Sequence, residues 1–302
     1  MARRHPGDDG WVKRTRRPGP TGAPVPPLPF PPARTVVVPE RGEFLVRDSG
    51  GTGRPVLLVH GWMFPSDLNW AQTYGPLQRA GYRVLAMDLR GHGRGLRASV
   101  PFRLQDCADD AAGVLAELGL HDVLVVGYSM GGPVTQLLAQ RHPERVGGFV
   151  LCATALDWSD PRQKAVWRTM GALRLLLGLF PTGVWRAGLR AAGTPSADSA
   201  WVAGELSRGS ARDLAEAGRE LGRFDSSGWV GTLTPPGTVL VTTRDRLVPR
   251  RKQLALAHAL GGRPHLLAAD HDACAVDAPR FVAALQACLR EVGGVSRAVR
   301  PA

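Results

Sequence analysis

Residues 123–134 read Val-Leu-Val-Val-Gly-Tyr-Ser-Met-Gly-Gly-Pro-Val: an apolar run, a serine between glycines, then the start of a helical pattern. The run Val123 to Val126 is too apolar for a sheet with one face in water and predicts a strand covered on both sides. Gly127, Tyr128, Ser129, Met130 and Gly131 follow with the pattern Gly-x-Ser-x-Gly. A serine in so tight a turn must take strained backbone angles, and glycines two residues to either side remove the side chains that would clash there. The helix behind it presents oriented N–H groups and a positive dipole end. That context makes Ser129 the candidate nucleophile and the N–H of Met130 the candidate donor to a developing oxyanion.

Outward from this stretch, short apolar runs recur at Val56–Val59, Val84–Met87, Phe149–Cys152, Val239–Val241 and His265–Ala268. Ahead of them Val36–Val38, a turn at Glu40–Gly42 and Phe44–Arg47 read as a hairpin. Between the runs lie helical patterns such as Leu104–Leu118 and Val134–Gln140. The alternation predicts an α/β fold, a parallel sheet with helices on both faces. The rhythm breaks between Cys152 and Pro235, where only helical patterns occur, including Lys164–Leu177, Ser199–Leu206 and Ala211–Leu221. This reads as an insertion, and it carries Trp158, Trp167, Trp185, Trp201 and Trp229.

The net charge is +12, but residues 1–34 hold Arg3, Arg4, Lys13, Arg14, Arg16, Arg17 and Arg34 against Asp8 and Asp9, and the rest is spread thinly. With no helix-turn-helix, zinc-finger or RNA-binding signature, the charge does not point to nucleic acid. Proline dominates residues 18–32 and favours an extended chain, so residues 1–34 are expected to form a disordered basic tail. Its cations would attract anionic lipid, but no amphipathic anchor accompanies them in the tail, and a solvated, dispensable segment is expected. Cys107, Cys152, Cys274 and Cys288 lack metal or redox spacing and read as buried free thiols. No run approaches the length of a membrane span, and the N-terminus lacks the apolar core of a secretory signal; a cytoplasmic protein is expected.

Serine needs a base within hydrogen-bond reach. Of eight histidines, His271 stands after the last strand and before the last helix, in the chain order serine, acid, histidine. The acid should end the strand between the insertion and that histidine, where Asp245 lies; Asp157, after the Phe149–Cys152 strand, is its rival. His60, at a strand end beside glycine, reads as a residue that holds a loop. The N–H of Trp62, and that of Met63 beside it, are the further oxyanion donors expected.

The stretches His60–Trp62 (HGW), Asp88–Gly95 (DLRGHGRG), Gly127–Gly132 (GYSMGG), Thr242–Pro249 (TTRDRLVP) and Asp270–Ala273 (DHDA) together resemble the α/β-hydrolase family over roughly residues 36–289. The resemblance implies a mostly parallel eight-stranded sheet, with core residues 35–154 and 233–292, a helical cap over 155–232 and a flexible end over 293–302. It implies a hydrolase without metal or cofactor that works through an acyl-enzyme. Trp62, Met63, Tyr128, Trp158 and Trp167 are the expected substrate contacts, favouring small to medium apolar esters. Carbon–carbon bond hydrolysis, haloperoxidase-like chemistry, acyl transfer, a lyase reaction and ligand sensing on a retained triad remain open. Halide displacement and epoxide opening by the family's usual route need an aspartate nucleophile, which Ser129 is not. Oligomeric state is not legible.

Overall fold

The computed structural model describes residues 28–191 and 196–299; the expected tail over 1–27 and the last residues of the expected flexible end, 300–302, lie outside them. Eight strands form one sheet: β1 (Ala33–Val38), β2 (Gly42–Asp48), β3 (Pro55–Val59), β4 (Arg83–Met87), β5 (Val123–Tyr128), β6 (Val146–Cys152), β7 (Gly237–Thr242) and β8 (His265–Leu267). Their order is β1-β2-β4-β3-β5-β6-β7-β8. The β1–β2 and β2–β4 pairs are antiparallel and every other pair is parallel.

Strand periodicity explains the layering. Successive side chains leave a strand on opposite faces, and here both faces are apolar. Leu57 and Val59 of β3 enter one core with Val123 and Val125 of β5. Val56 and Leu58 enter the other, with Leu124 and Val126. The first face is covered by α3 (Leu104–Glu117), α4 (Gly131–Arg141) and α10 (Arg250–Ala259). The second is covered by α2 (Tyr74–Arg79) and α12 (Ala278–Val299), through Tyr74, Leu77, Phe281 and Leu285. Each such fully buried Leu or Phe contributes roughly 1.5–3 kcal/mol by leaving water. Two short helices, α1 (Ser66–Asn69) and α11 (Ala273–Val276), complete the sheet side of the molecule.

Between β6 and β7 the chain forms α5 (Pro161–Arg168), α6 (Met170–Leu179), α7 (Pro181–Ala191), α8 (Ser196–Leu206) and α9 (Ala211–Arg223). The stretch Lys164–Leu177, expected as one helix, is two. At Thr169 both the backbone N–H and the side-chain hydroxyl donate back to the Val166 carbonyl, at 3.0 and 2.7 Å, and this tight turn ends α5. The helices α8 and α9 are tied to the 88–102 loop. Arg94 pairs with Glu205 at 2.8 Å, the Ser210 N–H donates to the Gly91 carbonyl at 2.8 Å, and the Phe102 N–H donates to Glu216 at 2.8 Å.

Two boundaries differ from the sequence expectation. Residues 28–34 are not loose: Phe30 lies edge-on to Tyr74 with ring centres 5.7 Å apart, and the Pro32 carbonyl accepts the Asp48 N–H at 2.9 Å. Ala33 and Arg34 already pair with β2. At the other end α12 continues to Val299 rather than loosening at 293, because Val292 still packs in the second core and Arg54 donates to the Gly293 carbonyl at 2.8 Å. The four cysteines are free and buried; desolvation pushes the Cys274 and Cys288 thiols up to about 12. Among the described residues no helix is long and apolar enough to cross a membrane.

Candidate active site

The loops that follow β3, β5, β7 and β8 meet at the C-terminal edge of the sheet, where the strand order turns back between β3 and β5. Open parallel sheets bind ligands in the crevice at such a switch point. Ser129 occupies the turn from β5 into α4 with φ of 52°. The flanking glycines are required by close approach. A Cβ on Gly127 would lie 2.3 Å from the Gly131 carbonyl oxygen, and one on Gly131 would lie 2.2 Å from that of Val59.

His271, after β8, places Nε2 3.0 Å from Ser129 Oγ and Nδ1 2.9 Å from Asp245 Oδ2. Asp245 is enclosed. Its Oδ1 accepts the N–H groups of Leu247 and Val248 at 2.9 and 2.7 Å, and its Oδ2 also accepts from the Thr242 hydroxyl at 2.8 Å and Gln253 Nε2 at 3.1 Å. A carboxylate whose acceptor positions are filled this way stays in one orientation toward the imidazole. The rival acid Asp157 is committed elsewhere, paired with Lys252 at 3.0 Å and bonded to Ser159. Asp270 turns away from the base's ring. Burial opposes ionisation there, yet the N–H groups of His271 and Arg246 and the Arg246 charge hold its carboxyl below the usual range.

Most of the other described histidines have partners of their own. His142 meets Asp109, His265 meets Glu291 and His121 meets Arg145. His60 is fully buried, with Nδ1 2.7 Å from the Gly61 carbonyl and Nε2 accepting the Leu89 N–H at 2.8 Å. Desolvation lowers it to about 4, and it lowers the neighbouring His92 to about 3. Both are neutral struts, the role the sequence suggested for His60. His5 lies outside the described residues and His258 falls within α10.

The loop after β3 passes directly over the serine turn: a Cβ on Gly61 would sit 3.2 Å from Ser129 Cβ, while the Gly61 N–H is held by Asn69 Oδ1 at 3.0 Å. Trp62 follows, and its indole N–H donates to the Leu214 carbonyl of α9 at 2.8 Å. Met63 takes φ of 68°. Met130 caps the N-terminus of α4. A cavity of about 580 Å³ opens onto Ser129 and His271, and Trp62, Met63, Tyr128, Trp158 and Trp167 all line it. Trp62 meets Trp167 edge-on at 5.4 Å, and Trp167 donates to the Trp158 carbonyl at 3.2 Å, so two of the inserted tryptophans close one side. Tyr128 is fixed rather than free, its hydroxyl donating to the His271 carbonyl at 2.6 Å.

Several contributors carry no readable sequence signal. Gln253 of α10 holds Asp245, Thr242 and the Val248 carbonyl together. Asn69 orients Gly61. Val166 and Leu247 join Phe64, a pocket residue the sequence did suggest, in an exposed apolar rim on the cavity. Among the described residues, no group of three or more His, Cys, Asp or Glu side chains is arranged to hold a metal ion.

A family model described as the alpha/beta hydrolase fold matches residues 54–184, a stretch that contains Ser129 and stops before Asp245 and His271. A non-heme haloperoxidase from Rhodococcus erythropolis is 43% identical over 102 residues, 33% of this chain and 37% of that protein. Epoxide hydrolase B from Mycobacterium tuberculosis is 39% identical over 101 residues, 32% of this chain and 28% of that protein. The chain thus spans about a third of the length of the curated relatives it matches. A thermophilic esterase from Thermogutta terrifontis superposes with a TM-score of 0.72 at 24% identity, covering 87% of this chain and 99% of that one, a likeness of fold. Sheet order, family match and shared fold agree: the chain has the α/β-hydrolase fold, and its residues 54–184 match the model of that family.

Proposed function

We propose that this chain is a serine hydrolase that cleaves carboxylic esters with small to medium apolar portions through an acyl-enzyme. The observation that carries the reading is the continuous path Ser129 Oγ to His271 Nε2 at 3.0 Å and His271 Nδ1 to Asp245 at 2.9 Å. His271 would take the hydroxyl proton as Ser129 attacks the carbonyl carbon, and Asp245 would stabilise the imidazolium formed. The N–H groups of Met130 and Trp62 would hold the oxyanion; Gly61 is ruled out as donor because Asn69 takes its N–H. The imidazolium then protonates the departing alcohol, and water activated by the same histidine releases the acid. Within the inserted segment, read as a cap over residues 155–232, Trp158 and Trp167 would shape the apolar pocket with Trp62, Met63 and Tyr128.

A second reading, haloperoxidase-like chemistry on the same residues, draws support from the 43% identical haloperoxidase. Epoxide opening is disfavoured despite the epoxide hydrolase match, because its usual route in this family begins at an aspartate and residue 129 is serine. The test is turnover of p-nitrophenyl esters of increasing acyl length by wild type and Ser129→Ala. Sustained wild-type turnover, falling at least about 10³-fold in the variant, is expected. Wild-type turnover below one equivalent would sink the esterase reading, and a parallel peroxide-dependent bromination assay would then decide the second.

A further inference from the structure

We infer that the surface made by α5–α7 is a docking face for an anionic lipid bilayer. The inserted helices bury unequally. On α6, Met170 and Leu177 point inward and are buried. Positions 172, 175, 176 and 179 recur at the three- and four-residue spacing of one helical face, and that face points outward. Leu175, Leu176, Leu179 and Phe180 at its end are 62%, 49%, 61% and 63% exposed. The next helix, α7, contributes no buried residue at all.

The charge on this segment is one-sided, a concentration that the expectation of thinly spread charge outside the tail passed over. Residues 161–191 contain Arg162, Lys164, Arg168, Arg174, Arg186 and Arg190 and no Asp or Glu. Lys164, Arg168, Arg174, Arg186 and Arg190 are exposed. Apolar side chains flanked by cations on exposed helices suit an interface where acyl chains lie beneath anionic headgroups. A second copy fits poorly, because a two-fold contact would set this cationic face against itself. Nucleic acid fits poorly too, since phosphate offers nothing to the four large apolar side chains. The cations of the tail, which the sequence considered for lipid contact, lack such an anchor; the helices between β6 and β7 have one. Val166 of α5 belongs to this segment and also lines the cavity, so the docking face adjoins the cavity's exposed rim.

The test is flotation of the full-length protein with vesicles of phosphatidylcholine alone or mixed with phosphatidylglycerol, a readout independent of any catalytic activity. Binding about tenfold stronger to the anionic vesicles and weakened by salt is expected. It should be lost in Leu175→Ser/Leu179→Ser/Phe180→Ser and reduced in Arg186→Gln/Arg190→Gln, the second pair serving if the first variant does not fold. Equal binding to both vesicle types, or none, would overturn the inference. So would anionic binding that survives both variants and disappears when Arg3, Arg4, Lys13, Arg14, Arg16 and Arg17 become Gln, which would move the contact to the tail. A dimer in sedimentation that the triple Ser variant dissolves, without lipid binding, would assign the face to a second copy.

Discussion

The edge of the sheet and the first inserted helices handle their side chains in opposite ways. At the sheet edge, Asp245 is fixed by two backbone N–H groups, Thr242 and Gln253, and His271 is held between that carboxylate and Ser129. On α6, large apolar side chains stand in solvent, and across α6 and α7 few residues are buried. The contrast teaches where each property of the protein resides. Geometry that must hold to a few tenths of an ångström sits on strand ends whose cores cannot shift, whereas the proposed docking surface is carried by helices with little of their own to pack against.

The largest effect should separate the two acids. Asp245→Asn is expected to lower kcat for a p-nitrophenyl ester by about 10³ to 10⁴ by reversing the imidazole's hydrogen-bond pattern, whereas Asp157→Asn should stay within about twofold. Steady-state kinetics on both decides it, and the reverse ranking would move the acid to β6.

Acid should loosen the sheet edge before it touches the inserted helices. His60 and His92 are lowered to about 4 and about 3 in the folded protein, below the usual value near 6.5. The unfolded chain therefore binds protons that the folded one refuses. Stability is full above about pH 6.5 and falls as pH drops toward 4, by on the order of a few kcal/mol. Denaturant midpoints at pH 7, 6 and 5 measure this, and His60→Gln should flatten the slope.

A smaller effect belongs to Gln253. Gln253→Leu removes one bond to Asp245 and is expected to cost about tenfold in kcat with little change in KM, a split that a general loss of folding would not give. Smallest of all, Leu179→Ser should change unfolding free energy by no more than about 0.5 kcal/mol because the side chain is already in water. A larger loss in a urea titration would mean that α6 is packed more tightly than its exposure indicates.

Of the eight strands, β3 to β7 were legible because they are buried on both faces and so appear as short uninterrupted apolar runs. The turn at Ser129 was legible because close backbone approach admits only glycine at 127 and 131. Ser129, Asp245 and His271 could be chosen by their order after successive strands, and they are the side chains the fold brings together. The break at Thr169 was hidden, since apolar spacing runs through it and only a local hydrogen bond to Val166 marks the turn. Gln253 was hidden for a different reason: its partner is eight residues back across a strand-to-helix loop, and no spacing encodes that contact. The ordered stretch 28–34 was hidden by its prolines, which signal an extended chain without saying that Phe30 lands on Tyr74 and Trp201.

The most direct measurement is mass-spectrometric mapping of a fluorophosphonate adduct on the full-length protein. One equivalent attached to Ser129, with labelling abolished in Ser129→Ala and slowed in Asp245→Asn, is the predicted result. An adduct on another residue, or labelling unchanged in Ser129→Ala, would contradict the assignment of Ser129 as nucleophile.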